Sequence, residues 1–224
     1  MKVALLGAGK TGGKVAELHK ETIIFNSTNK PTVENLKSCD VVISFLAGPI
    51  FAEYIDLLIE SNIPVVTGST GFEWPSNINQ TLKSKKLKWV RAHNFSLGMN
   101  IVKKMIEILS MSSELYPEAQ YMIHDIHHTQ KLDSPSGTAL SWQDWLGKKA
   151  HISAERTGDV VGYHHLEMDS KQEKIKITHE AKDRAIFARG ALWAADKILN
   201  DNDIEYGLTH FSDIVSKYLY KDQK

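Results

Sequence analysis

The 224-residue chain has a single cysteine, Cys39. No disulfide can form within it, and nothing in its composition calls for an oxidising compartment. It has no excess of either charge, with 27 Lys and Arg against 27 Asp and Glu. Binders of nucleic acid or of anionic membranes ordinarily carry a basic surplus, so neither partner is expected. No apolar run approaches the ~20 residues of a membrane helix. The start, MKVALLGAGK, is not expected to be a signal peptide, because Gly7 and Gly9 break its short apolar stretch. Repeats, low-complexity tracts and obvious flexible linkers are also missing. What is left is an ordinary globular composition, 42% hydrophobic and 24% charged, expected in the cytoplasm. The length suits one large domain or two small ones, burying roughly 70% of the unfolded surface. The exception is the histidines: ten in all, seven of them between His124 and His179.

The first ninety residues alternate short apolar strands with helix-compatible stretches. Strands are expected at 2–6, 22–25, 40–46, 63–67 and 87–91, with helices at about 11–20, 51–61 and 75–85. Near-continuous apolar strands between helices indicate a parallel sheet covered on both faces. Beyond residue 97 the pattern changes. A long helix over 98–115 would place Ile101, Met105, Ile108 and Leu109 on one face. A strand over 119–128, a helix over 136–149 and two or three strands within 152–181 follow. Clean alternation in Lys174-Ile175-Lys176-Ile177-Thr178 fits a half-buried antiparallel sheet. Helices over 185–199 and 211–220 complete the reading.

Gly7-Ala8-Gly9-Lys10-Thr11-Gly12 is a complete G-x-G-x-x-G between an expected strand and an expected helix. The first glycine permits the tight turn, the second lets backbone approach a pyrophosphate, and the third lets helix and strand pack closely. A glycine turn that binds nothing is the plain alternative. A phosphate-binding loop of the NTPase type fails on register, since Gly13 and not a lysine follows Gly12. The acidic residue that usually binds the adenosine ribose after the second strand is absent. Asn26 and Ser27 stand there instead and offer hydrogen bonds to a ribose hydroxyl, with Lys30 nearby for a 2′-phosphate. Both NADH and NADPH therefore stay open. Two further loops, Phe45–Pro49 and Thr67–Phe72, fall at strand carboxyl ends, where a dinucleotide would lie; taken alone, each is better explained by simple turn chemistry.

The densest chemistry lies in 124–138, HDIHHTQKLDSPSGT. In an extended chain His127, Thr129 and Lys131 share a face and His128 points away. A histidine and a lysine converging on one pocket supply protons and bind a dianion. The helix expected to start at Ser136 offers the amides of Gly137 and Thr138 to a carboxylate. Three plainer readings compete: surface histidines without a role, an ordinary helix start, and a zinc pair from His124 and His128 four residues apart. The last needs a helix and lacks the glutamate of the zinc-protease motif, so no metal is expected. His164 and His165 form a second pair on opposite strand faces, each more simply a structural histidine.

Taken in order, these stretches resemble the dihydrodipicolinate reductases, also called 4-hydroxy-tetrahydrodipicolinate reductases, of lysine biosynthesis. The resemblance runs along nearly the whole chain. It rests on His127-His128-Thr129-Gln130-Lys131-Leu132-Asp133-Ser134-Pro135-Ser136-Gly137-Thr138-Ala139, with supporting matches at 68–72, 94–100, 156–164 and 177–181. It implies NADH- or NADPH-dependent reduction of a cyclic imine dicarboxylate in the diaminopimelate route. It implies that Gly7, Ala8, Gly9, Lys10, Thr11 and Gly12 hold the pyrophosphate, and that Gly68, Ser69 and Thr70, continued by Ala92, His93, Asn94 and Phe95, line the nicotinamide side. Asn26 is carried as the adenosine-side residue. The resemblance makes His127 the proton donor and Lys131 its companion acid and carboxylate partner, with His128, Gly137, Thr138 and Arg156 completing the substrate pocket. It further implies a homotetramer built through the second sheet. The chain departs from the family at Thr129-Gln130, often basic or amide residues, at Asn26-Ser27, usually an acid, and in the short stretch 28–39. A trimmed cofactor domain follows from that last departure.

The expected fold is therefore α/β: a Rossmann-type parallel-sheet cofactor domain over 1–95 and about 185–224, plus a smaller α+β domain over about 96–184. The smaller domain carries the substrate site, the oligomer contacts and a mixed sheet. Rival readings are another nicotinamide-dependent dehydrogenase of an amino-acid or semialdehyde substrate, and a non-catalytic NAD(P)-binding sensor.

Overall fold

The computed structural model describes residues 1–221. It divides into two compact units, Met1–Ser96 with Arg184–Lys224, and Leu97–Asp183. Among the described residues no helix is long and apolar enough to cross a membrane.

The first unit begins β1 (Val3–Leu6), α1 (Gly12–Leu18), β2 (Thr22–Phe25), α2 (Val33–Lys37), β3 (Val41–Ser44), α3 (Gly48–Glu53), α4 (Ile55–Ser61), β4 (Val65–Thr67), α5 (Ile78–Ser84) and β5 (Lys88–Arg91). The second unit contains α6 (Leu97–Met111), β6 (Gln120–His127), α7 (Gly137–Leu146), β7 (His151–Arg156), β8 (Gly162–Asp169) and β9 (Lys174–Ala181). The chain then returns to the first unit with α8 (Ala185–Asn200), β10 (Gly207–His210) and α9 (Phe211–Leu219).

In the first unit six parallel strands run in the order β10-β5-β4-β3-β1-β2. Strands β1 and β3 are buried at every position, as a sheet covered on both faces requires. Strand order turns at β1, flanked by β2 on one side and β3 on the other. That places a ligand crevice beyond the carboxyl ends of β1 and β3. Backbone bonds from Gly7 N–H to the Phe25 carbonyl, Phe45 N–H to Leu6 and Gly68 N–H to Ser44 align the loops that leave these strands.

Three elements differ from the sequence reading. The 28–39 stretch holds a short helix, α2, started by Thr32, whose hydroxyl accepts from Asn35 N–H while the Asn35 side chain accepts from Thr32 N–H. The helix expected over 51–61 is two helices meeting at Tyr54. Strand β10 was not anticipated, because Gly207-Leu208-Thr209-His210 carries almost no strand pattern; it is made by pairing with β5.

In the second unit four strands run β7-β6-β8-β9. Strands β6, β8 and β9 pair antiparallel, but β7 joins β6 in parallel through the crossover helix α7, so the sheet is mixed. One face packs Ile123, Leu166, Met168 and Ile177 against Met99, Val102, Ile106 and Leu109 of α6 and Trp142 of α7. This corrects the expected α6 face. Ile101, Met105 and Ile108 are 48%, 46% and 62% exposed. Both sets repeat at helical spacing within one broad apolar arc, opposite the side that carries Asn100, Lys103, Lys104 and Glu107, so periodicity cannot choose between them; the fit to Trp142 and the sheet does.

Helix α8 packs on β3, β4 and β5 and against α1. Its close approach depends on Gly190, where a Cβ would collide with the Phe95 carbonyl. Gly190→Ala is expected to destabilise the protein by about 1–3 kcal/mol, the usual effect of overpacking. A lower unfolding midpoint in urea checks this, and an unchanged midpoint refutes the close packing.

Candidate active site

Because strand side chains alternate, Ile123, Asp125 and His127 of β6 share the covered face, while Met122, His124 and Ile126 take the other. Asp125 is fully buried and His127 nearly so. The Asp125 carboxylate gathers three donors: His127 Nδ1 at 2.8 Å and Arg156 Nη1 at 3.1 Å on one oxygen, and Ser136 N–H at 3.3 Å on the other. Arg156 ends β7 directly beside His127 in the sheet register. Its guanidinium also donates to the Asp133 and Glu155 carbonyls, each at 2.6 Å. A buried carboxylate is tolerable only when paired and hydrogen-bonded in this way.

His164 of β8 completes the cluster. Its ring lies 5.0 Å from that of His127, edge to face, and 5.6 Å from Trp142. Its Nε2 lies 3.3 Å from the Ser136 hydroxyl, which itself accepts from Ala139 N–H as the cap of α7. Burial, with the nearby charge of His127 second, pushes the His164 pKa down to about 3, so the ring is neutral at physiological pH. Burial also lowers the pKa of His127; the hydrogen bond and charge of Asp125 oppose this, and the charges of Lys131 and Arg156 add to it. Gly162 faces the same ring, and a Cβ there would sit 3.1 Å from His127 Nε2.

Beyond His127 the strand stops. His128 N–H bonds to the Val160 carbonyl, Thr129 N–H to Gly158 and Lys131 N–H to His128, which is a turn and not the extended run expected. The turn carries Lys131 to Asp133, with Nζ 2.7 Å from Oδ1. Asp133 Oδ2 accepts from Gly137 N–H at 3.4 Å, at the start of α7. The Lys131 hydrogen bond, above all, holds the Asp133 carboxyl below its ordinary pKa. No protein atom lies within 4 Å of where a Cβ on Gly137 would stand, so glycine there is not demanded by packing.

In the first unit the glycine turn has the geometry its pattern requires. Gly7 has φ +86°, accessible to glycine, and a Cβ on Gly12 would collide with the Gly7 carbonyl. Gly9 is different: nothing lies within 4 Å of its Cβ position. The N–H groups of Lys10, Thr11 and Gly12 take no protein acceptor among the described residues. Open space at Gly9 beside outward amides fits a pyrophosphate. A cavity of about 130 Å³ brings Ser69 and Thr70 together with Ala92 and His93, over Trp74 and Arg91. The other sequence candidates on this side lie differently. Phe95 is sunk in the core against Phe45 and Phe211, and a Cβ on Gly68 would clash with the Phe45 ring. Asn94 Oδ1 accepts from Ser96 N–H. Asn26 Oδ1 is occupied by Thr28 N–H, Thr28 Oγ1 and Asn29 N–H.

Sequence reasoning missed Asp125, His164 and Asp133. Asp125 had a signal, since it lies two residues from His127 on an expected strand and therefore on the same face. His164 was read as a structural histidine, because nothing local places β8 beside β6. Asp125, His127 and His164 also hold ligand atoms within 4.8 Å of one another. Arg156, 3.1 Å from the same carboxylate, opposes a cation there. The zinc pair weighed from the sequence is not brought together: His124 lies on the other sheet face, bonded to Ser153.

The family profiles described as dihydrodipicolinate reductase N-terminus and C-terminus match residues 1–95 and 98–214. A 4-hydroxy-tetrahydrodipicolinate reductase of Christiangramia forsetii is 31% identical, covering 91% of this chain and 95% of the relative. One from Alkaliphilus metalliredigens is 28% identical over 96% of this chain and 99% of the relative. Among solved structures, a dipicolinate-bound dihydrodipicolinate reductase from Paenisporosarcina sp. TG-14 aligns with a TM-score of 0.74 at 19% identity, covering 96% and 99% of the two chains. An aspartate semialdehyde dehydrogenase II from Vibrio cholerae aligns at 0.54 and 10% identity, covering 90% and 99%, a likeness of fold alone.

His164 is neutral in the fold and protonatable in the unfolded chain, so the unfolded state binds the extra proton. Its contribution to stability is present above about pH 6.5 and is lost as pH falls toward about 3, by at most ~1.4 kcal/mol per pH unit. The His164 ring resonances should stay at their neutral positions from pH 8 to 5. A His164 midpoint near 6.5 by NMR would contradict its burial.

Proposed function

The chain belongs to the dihydrodipicolinate reductase family, and from that premise we propose that it reduces 4-hydroxy-tetrahydrodipicolinate to tetrahydrodipicolinate with NADH or NADPH, for lysine and diaminopimelate synthesis. The observation that carries the reading is the surroundings of His127. A buried, protonatable ring stands with Arg156 and a neutral His164 about it, in a unit that also offers Lys131 and the open start of α7. This is an environment for a small dicarboxylate that must receive a proton.

The bound nicotinamide supplies the hydride, and the electron pair moved through the conjugated imine toward the ring nitrogen must be met by a proton. His127 delivers that proton from Nε2, since Nδ1 is held by Asp125. Lys131 stabilises the developing charge and holds one carboxylate. Gly137 and Thr138 fix a carboxylate with backbone amides at the α7 start, so its orientation is set by rigid main chain. Asp133 now holds both Lys131 and the Gly137 amide; an arriving substrate carboxylate takes these partners in its place. His128 contributes a further carboxylate contact. Arg156 adds positive charge at the pocket while securing Asp125 and the Asp133 loop. In the first unit the turn from Gly7 through Ala8, Gly9, Lys10 and Thr11 to Gly12 holds the pyrophosphate. Ser69, Thr70, Ala92 and His93 line the nicotinamide side, backed by Gly68, Asn94 and Phe95. With its oxygen turned into its own loop, Asn26 meets the adenosine end with its amide donor.

The first unit thus serves as the dinucleotide-binding domain and the second as the substrate and assembly domain. The sheet face that carries Met122, 41% exposed, with Tyr163 and Lys176, is proposed to build a homotetramer. One buried free thiol, Cys39, suits a cytoplasmic protein.

Purified protein supplied with the enzymatically generated imine should oxidise NADH or NADPH. No oxidation with either cofactor, alongside turnover of a different carbonyl, would refute the assignment. His127→Gln is expected to lower kcat by about 10²–10⁴. Gly9→Val should weaken NAD(P)H binding at least tenfold by calorimetry with little change in unfolding midpoint, because its side chain would meet only cofactor; unchanged affinity would remove Gly9 from the site.

A further inference from the structure

We infer that Asp125 is a positioning residue for proton transfer: its carboxylate fixes His127 as the Nδ1–H tautomer, leaves Nε2 as the atom that exchanges the proton, and couples that ring to Arg156 and the start of α7. The inference rests on the reading of His127 as proton donor and adds a residue to it.

The geometry limits the alternatives. An ionised carboxylate accepts hydrogen bonds and cannot donate them. With Asp125 Oδ2 2.8 Å from His127 Nδ1, the hydrogen lies on Nδ1 in the neutral ring. The same oxygen takes Arg156 Nη1 and the other takes Ser136 N–H, so the carboxylate cannot turn away without leaving buried donors unpaired. Nε2 points toward Gly162, where the lack of a side chain keeps it clear. Asp125 therefore does for this ring what an orienting carboxylate does in a hydrolase triad, on an unrelated fold and for protonation instead of nucleophile activation.

Four charged or titratable groups face His127: Asp125 from its own strand, Arg156 from β7, His164 from β8 and Lys131 from the turn. Of these, Asp125 favours the protonated ring, Lys131 and Arg156 disfavour it, and His164 is neutral. A proton donor works while protonated, so activity falls as pH rises through its pKa. Removing Asp125 leaves only groups that disfavour the charge, and the limb moves to lower pH.

Four measurements test this. In the wild-type protein without substrate, ring nitrogen shifts should report His127 as Nδ1–H when neutral; an Nε2–H ring overturns the inference, with or without reductase activity. Asp125→Asn should lower kcat by on the order of 10²–10⁴, with KM for the imine altered less than about threefold, and its alkaline limb should move to lower pH. A loss carried by KM alone, or an unmoved limb, would mark Asp125 as structural. In a His127→Gln background Asp125→Asn should cost less than about threefold more, because the residue through which it acts is gone; losses that multiply overturn the inference. Asp125→Glu, which retains the carboxylate, should recover at least tenfold of the Asn loss, and no recovery counts against it. If Asp125→Asn does not fold, the wild-type tautomer decides. Failure of the imine assay in wild-type protein would sink the proposed reaction while leaving the tautomer result intact.

Discussion

The second unit is organised around one fully buried carboxylate. Asp125 draws in a histidine from its own strand, a guanidinium from β7 and the amide that begins the turn into α7. Isolating such a charge from water is costly, and the cost is offset only if every partner is in place. The sheet register beside His127, the path of the 133–136 loop and the entry of α7 are therefore mutually constrained. Arg156 extends the constraint by donating to the Asp133 carbonyl, so the loop that carries Lys131 is tied to the same point.

Around that point the electrostatics are graded. His164, sealed between Trp142 and His127, is kept neutral by burial. His127 lies beside it but holds a carboxylate and keeps some ability to charge. Lys131 and Asp133, nearer solvent, form an exchangeable pair. The charges of Lys131 and Arg156 are matched within the pocket by Asp133 and Asp125, and on the other face of the same sheet Glu167 pairs with Lys174 and Lys176.

The first unit relies on a different device, the absence of side chains. Gly12 and Gly190 are required because backbone passes backbone too closely for a Cβ. Gly9, and likewise Gly137 in the second unit, meets no other part of the fold at its Cβ position, and its meaning lies in what approaches from outside. The same residue type answers two different demands, and only the surrounding atoms tell them apart.

The amino-acid order alone settled what depends on local pattern. The strand–turn–helix around Gly7–Gly12, the buried strands β1 and β3 and the alternating β9 follow from spacings of a few residues, and the stretch from His127 to Ala139 carries the family resemblance. Those spacings placed the parallel sheet and the second unit's strands, but not the path beyond His127, which turns where an extended run was expected. Tertiary structure decided what depends on distant neighbours. Strand β10 exists because β5 offers an edge. The apolar stripe α6 buries is chosen by Trp142 and the sheet, not by its own periodicity. His164 reaches His127 only through the antiparallel pairing of β8 with β6, and Arg156 reaches Asp125 only through the parallel pairing of β7. Arg156 is a pocket candidate from the family resemblance and His164 one of a histidine pair, yet no local pattern names the partner of either. The chemistry of each is fixed by loss of solvent and by a partner some thirty residues away.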